Sequence, residues 1–262
     1  MELGLQGKRA LITAASRGLG RAAAIALARE GASLAVAGRN LAAMQGFVDE
    51  LKAAGAAQAV AVEIDLSKRE TLQSGVRSAV EALGGIDIFV ANTGGPESAP
   101  FLGVNRESWE DALNESLLPM VDLCHEILPH MQKSQFGRII FVTTVGVKIV
   151  QPNMVLSDSI RLAVVGMAKS LSIEFAHEGI TVNCLCPGPF ATDRMEYLVT
   201  SSMERDALSR SEAEKLWLGE VPVGKFGDPE DFGAMVAFLS SKRGGFITGT
   251  AIALDGGKSR AY

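Results

Sequence analysis

The chain has 262 residues, of which 47% are hydrophobic and 21% charged, enough for one large α/β domain. Its 25 basic and 30 acidic residues leave a net charge of −5, and no Lys/Arg run exceeds two residues. That balance excludes a nucleic-acid or anionic-membrane surface and points to small-molecule partners. In chain order, the apolar runs Arg9 to Ile12, Ser33 to Ala37, Ala59 to Ile64, Ile86 to Val90, Arg138 to Val142, Thr181 to Leu185 and Thr250 to Leu254 read as seven strands. Ala22 to Arg29 and the stretches 40–54, 67–83, 105–134 and 157–178 read as the helices between them, with a late helix starting near Asp228-Pro229-Glu230. Alternation of this kind, with nearly continuous apolar strands, predicts a parallel sheet covered by helices on both faces. No linker-like stretch, repeat or low-complexity segment interrupts residues 1–262, so a single domain is expected. The polar stretch within 188–227 breaks the rhythm, and 193–218 is a candidate lid over a ligand site.

Cys124, Cys184 and Cys186 fit neither a zinc ribbon nor a redox C-x-x-C, which implies a reducing compartment and no metal site. The N-terminus leads straight into the first strand, and no apolar stretch reaches the length of a membrane span; a cytoplasmic location is expected.

In an open parallel sheet, ligands sit beyond the carboxyl ends of the strands where strand order reverses. The turn after the first strand, Thr13-Ala14-Ala15-Ser16-Arg17-Gly18-Leu19-Gly20, belongs there. A glycine turn between strand and helix lets backbone N–H groups and the positive helix end face a pyrophosphate. After the second strand, where an acidic residue would bind a ribose 2′-OH, stands Arg39. Together with Arg17 it offers two cations for a 2′-phosphate, which favours NADP over NAD. Asp65, followed by Leu66 after the third strand, suits either the adenine amino group or a helix cap beside Ser67.

With Thr13, Gly18-Leu19-Gly20, Asp65 and Ala91-Asn92-Thr93-Gly94 in place, the chain resembles the short-chain dehydrogenase/reductase family. Pro187-Gly188 through Thr192, Ile247-Thr248-Gly249 and Asp255-Gly256-Gly257 extend the likeness over nearly the whole length. Gly137-Arg138-Ile139-Ile140 and Gly179-Ile180-Thr181-Val182-Asn183 are similar to the β-ketoacyl carrier-protein reductase branch. The resemblance implies a Rossmann-type, doubly wound, seven-stranded sheet and a nicotinamide cofactor. It also implies a homotetramer or homodimer built on the long helices after the fourth and fifth strands. Asn92, Thr93 and Gly94 would form part of the cofactor wall, near Pro187 and Gly188, and Thr192 would meet the nicotinamide carboxamide.

The family reduces carbonyls or oxidises alcohols with a serine, a tyrosine, a lysine four residues later and a supporting asparagine. Those identities are replaced here. Alignment without gaps from Gly137 and from Gly166 places Thr144 at the serine, Ser157 at the tyrosine and Arg161 at the lysine, and tracing back places Ser116 at the asparagine. The only tyrosines, Tyr197 and Tyr262, lie far from the expected position. Thr144 retains a hydroxyl, Ser157 is a poor acid, and Arg161 keeps a charge without being able to shuttle a proton. Lys148, in the loop after Thr144, and Asp158 are the alternative acids. His125, His130 and His177 read as structural, and Trp109 and Trp217 as core or lid packing.

Two functions remain. One is an NADP-dependent oxidoreductase with a non-standard proton donor, of the β-ketoacyl reductase kind. The other is a non-catalytic dinucleotide-binding protein, a sensor or an assembly partner.

Overall fold

The computed structural model describes residues 2–260. The seven expected strands are present as β1 (Arg9–Ile12), β2 (Ser33–Gly38), β3 (Gln58–Glu63), β4 (Ile88–Ala91), β5 (Gly137–Val142), β6 (Ile180–Pro187) and β7 (Ala251–Leu254). They form one sheet in the order β3-β2-β1-β4-β5-β6-β7, every pair parallel. Strand order reverses at β1, which lies between β2 and β4.

Side-chain alternation along the strands feeds two cores. Ala10 and Ile12 of β1 join Leu27 of α1 (Gly18–Arg29), Phe47 of α2 (Leu41–Ala54) and Phe232 of α9 (Pro229–Ser240) on one face. Leu11 and Phe89 join Val76 of α3 (Arg69–Leu83), Ile127 of α5 (Leu118–Ser134) and Val164 of α6 (Val155–Glu174) on the other. The helices on both faces make this a doubly wound, Rossmann-type α/β fold.

Three expected segments take a different form. The stretch 105–134 is two helices, α4 (Arg106–Ser116) and α5, parted at Leu117. Pro119 lies in the first turn of α5, where its missing N–H suits a helix start and not a continuation. The first helix begins at Gly18 instead of Ala22, so both glycines of the turn belong to its opening. Within 188–227 are two helices, α7 (Asp193–Asp206) and α8 (Arg210–Leu218), the latter opened by a Ser209–Glu212 capping box. Met195, Leu198 and Val199 of α7, Ala213 of α8 and Met154 of the body form a small cluster separate from both main cores. Among the described residues no helix is long and apolar enough to cross a membrane.

Candidate active site

A cavity of about 670 Å³ runs along the carboxyl edge of the sheet, from the turn after β1 to the inner face of α7. At one end, the α1 N-terminus has no side-chain cap and no acidic residue in its first turn, which leaves backbone N–H groups and the helix dipole for an anion. Gly18 has φ +57°, a left-handed value that favours glycine, and Ala14 adopts φ +46° where the motif would normally have glycine. Gly20 is packed so closely that a Cβ would stand 2.5 Å from the Ala14 carbonyl oxygen and 2.7 Å from Asn92 Nδ2. Asn92 Nδ2 donates to the Ala14 oxygen (3.3 Å), and the Thr13 hydroxyl donates to the Asn92 oxygen (2.6 Å) while accepting from the Asn92 amide (2.9 Å). Thr13 itself is fully buried and does not line the cavity; it ties β1 to β4. Ser16, Arg17, Gly18 and Leu19 do line it.

The Arg17 guanidinium is exposed, 3.5 Å from Asp193. Arg39 is exposed at the cavity edge, and among the described residues no carboxylate pairs with it. The Asp65 carboxylate accepts from the Ser67 amide (3.1 Å) and hydroxyl (2.7 Å). Burial pushes the Asp65 carboxyl up, but the Ser67 hydrogen bonds and the charges of Lys68 and Arg39 outweigh it and hold the group below its usual range. Asp65 therefore braces its own turn and lines the cavity beside Leu66, but it does not cap α3, whose N-cap position is Lys68 with no side-chain bond.

Beyond β4 and β5, the structure brings Thr93, Gly94, Thr144, Ser157 and Arg161 to the same cavity, which Pro187, Gly188 and Thr192 enter from beyond β6. Ser157 and Arg161 share one face of α6 because they are one helical turn apart. Thr144 Oγ1 accepts from the Gly146 amide (3.2 Å) and caps a short 3-10 turn, Val145–Val147. Arg161 is only 5% exposed, and its guanidinium donates to Val142 O (3.0 Å), Gly94 O (2.9 Å) and Thr93 Oγ1. Burial first, then the nearby Arg194 charge, lowers its pKa to about 10, so it stays cationic at neutral pH.

Other candidates lie elsewhere. Lys148 ends the 3-10 turn, half-buried, and does not line the cavity. Asp158 faces away: its Oδ2 accepts from the Gln151 amide (3.1 Å), and its Oδ1 occupies the space that a Cβ on Gly146 would fill. Burial raises the Asp158 carboxyl, outweighing the bond from Gln151. Ser116 is buried and not at the cavity; its exposed neighbour Glu115 is at the rim. The three cysteines are free and buried, with Cys124 and Cys184 pushed up to about 12 by burial, so they stay neutral thiols. Tyr262 lies outside the described residues.

Sequence reasoning missed Arg194, Gln151 and Lys258. Arg194 lines the cavity, donates to Pro96 O (2.8 Å) and stacks on Tyr197, 5.0 Å from the ring centre. Gln151 also lines it, and its Oε1 accepts from the buried Lys258 ammonium at 3.5 Å. Trp217 completes that wall, its Nε1 donating to Ser202 Oγ (3.2 Å). Arg194 directly follows Thr192-Asp193 at the edge of the polar stretch, which is the only local signal it gives; Lys258 reaches Gln151 across 107 residues and gives none.

Comparison with known proteins places this geometry. The family model described as enoyl-(acyl carrier protein) reductase matches residues 13–259. The chain is 31% identical over 252 residues to 3-oxoacyl-(acyl-carrier-protein) reductase FabG of Staphylococcus aureus, covering 95% of this chain and 97% of that one. It is 29% identical over 256 residues to the NADPH-dependent reductase BacG of Bacillus subtilis, covering 97% and 98%. Among solved structures it is similar to L-sorbose reductase from Gluconobacter frateurii complexed with NADPH and L-sorbose. That likeness has a TM-score of 0.93 at 25% identity over 100% of both chains. With the sheet order, the glycine turn and these full-length likenesses in agreement, the chain belongs to the short-chain dehydrogenase/reductase family of oxidoreductases.

Proposed function

We propose that this protein is an NADPH-dependent oxidoreductase that interconverts a carbonyl and an alcohol. The observation that carries the reading is the cradle under α1, where Gly20 leaves room for close backbone approach and the helix end lacks any cap of its own. The residues fit the cofactor from end to end: Arg39 and Arg17 for a 2′-phosphate, the α1 terminus for the pyrophosphate, and Asn92, Thr93 and Thr192 around the nicotinamide riboside. Bound there, the cofactor would supply or accept a hydride. Arg161 holds the loop after β4 and presents its positive charge to the reacting end. Thr144 Oγ1 and Ser157 Oγ donate hydrogen bonds to the substrate carbonyl oxygen. Neither hydroxyl ionises near neutrality, so the proton reaches that oxygen from water through them. Orientation of the two reactants then accounts for most of the acceleration.

The segment 193–218 serves as the lid, since its cluster with Met154 forms the outer wall of the cavity. The three free, buried cysteines suit the reducing cytoplasm. Support for a homo-oligomer comes from α6, where Leu162 and Ile173 are exposed eleven residues apart on one side of the helix. Sedimentation at micromolar concentration is expected to give a dimer or tetramer, and a monomer would remove this part of the reading.

The cofactor assignment is tested by Arg39→Ala. NADPH affinity is expected to fall by about tenfold or more through loss of a charge-assisted phosphate contact, while NADH affinity changes by less than about threefold. Equal losses for the two cofactors would show that Arg39 reads no phosphate.

A further inference from the structure

Charges around the cavity sort into two sets. Toward the phosphate end, Arg17 faces Asp193 at 3.5 Å, Asp65 is braced by Ser67 and Lys68, and Arg39, unpaired among the described residues, stands at the exposed edge assigned to the 2′-phosphate. Toward the reacting end stand Arg161 and Arg194, and among the described residues neither has a carboxylate within salt-bridge distance. Glu115, the remaining acidic residue of the lining, is exposed at the rim. Two cations this near each other in a cavity repel, and buried charges normally have a counter-charge. Here both are tethered to neutral acceptors of one loop, Arg161 to Gly94 O and Arg194 to Pro96 O.

Arg194 is displaced from the phosphate end. Its neighbours Thr192 and Asp193 approach Gly18 and Arg17, whereas its own guanidinium crosses to the opposite lip, about 3.0 Å from where a Cβ on Gly95 would stand. One of its five N–H groups is committed to Pro96, and the Tyr197 ring keeps the plane oriented. The lining also has an apolar side, made by Met154, Met195, Leu198 and Trp217, with Gln151 its polar member. A fixed planar fork in a cavity with an apolar side suits a compact molecule with a carboxylate at one end.

We propose that the substrate is a keto acid, or the corresponding hydroxy acid, whose carboxylate is bound by the Arg194 fork within the field of Arg161. This assignment rests on the reductase reading for its carbonyl and on Arg194 for its acid, and the two can fail separately.

The test is calorimetric, on the full chain saturated with NADP+, using α-ketoisocaproate and its methyl ester, which cannot be reduced by the oxidised cofactor. The parent is expected to bind the acid about tenfold or more tightly than the ester. Arg194→Met should abolish that preference while leaving NADP+ affinity within about twofold. Arg194→Gln, which keeps a donor for Pro96 O but not the charge, should also lose it, separating charge from the tether. Equal binding of acid and ester by the parent would overturn the proposal. So would a loss of NADP+ affinity in Arg194→Met as large as the loss for the acid, because Arg194 would then be a cofactor residue. Turnover is read separately. NADPH oxidation by uncharged ketones without any preference for the acid leaves the reductase reading standing and sinks the carboxylate; Arg194-dependent acid binding without turnover does the reverse.

Discussion

Gly20→Ala is expected to lose NADPH binding by about a hundredfold or more and to destabilise the fold by about 1 kcal/mol, although alanine is the better helix former. Two effects oppose each other. Inside a helix the exchange normally gains about 1 kcal/mol. At Gly20 the new methyl would meet the Ala14 carbonyl oxygen at 2.5 Å and Asn92 Nδ2 at 2.7 Å. One of those atoms is backbone, so relief requires the turn or α1 to shift, and overpacking of this kind costs about 1–3 kcal/mol. The clash wins, and the displaced turn no longer presents its N–H groups to a phosphate. Gly46→Ala is the control: it lies inside α2 with nothing within 4 Å of the new methyl, and should gain about 0.5–1 kcal/mol. Urea unfolding and NADPH titration of the pair check the contrast. A Gly20→Ala variant that binds NADPH normally would remove the cradle from the account.

Replacing Arg161 by Met should cost about 1–2 kcal/mol of stability and weaken NADPH binding by about tenfold or more. The guanidinium serves three acceptors, Val142 O, Gly94 O and Thr93 Oγ1, which belong to the ends of β4 and β5. Gly94 O keeps the Thr93 hydroxyl as a donor (2.9 Å), so the main loss is at Val142 O, where a bare buried acceptor costs about 1–3 kcal/mol, and removing a desolvated charge returns part of that. Loss of the tie between the ends of β4 and β5 exceeds that return, so the net sign is destabilising. Arg161→Lys should fall between, since one ammonium keeps the charge but cannot span the fork. Equal unfolding midpoints for the parent and Arg161→Met would refute the claim that Arg161 holds this loop.

Much of the scaffold is legible in the sequence because its strands are buried on both faces. Ala10, Leu11 and Ile12 read as one apolar run, since alternate residues enter different cores and neither face meets water. The spacing from Ser157 to Arg161 likewise carries two residues to one side of a helix with no tertiary information. What escapes the sequence is set by turn geometry or by distant partners. Lys148 and Thr144 are four residues apart, yet the 3-10 turn between them keeps the threonine at the cavity and the lysine off it. The apolar pattern of 105–134 runs through the break at Leu117, and the local mark of that break is Pro119. In the sequence Arg194 is one charge in a polar stretch; its importance comes from Pro96 and Tyr197, and from having no carboxylate partner among the described residues.

The left-handed Ala14 bears on how this site could be engineered. A non-glycine residue in that conformation costs roughly 1–2 kcal/mol, and the turn holds it nonetheless. Asn92 supplies the hold, donating to the Ala14 oxygen and locking onto Thr13 from the neighbouring strand. The shape of the turn is therefore borrowed from the end of β4, not encoded in residues 13–20 alone. Those eight residues transplanted into another scaffold would be expected to relax. The unit that would travel intact is the turn together with the segment that follows β4.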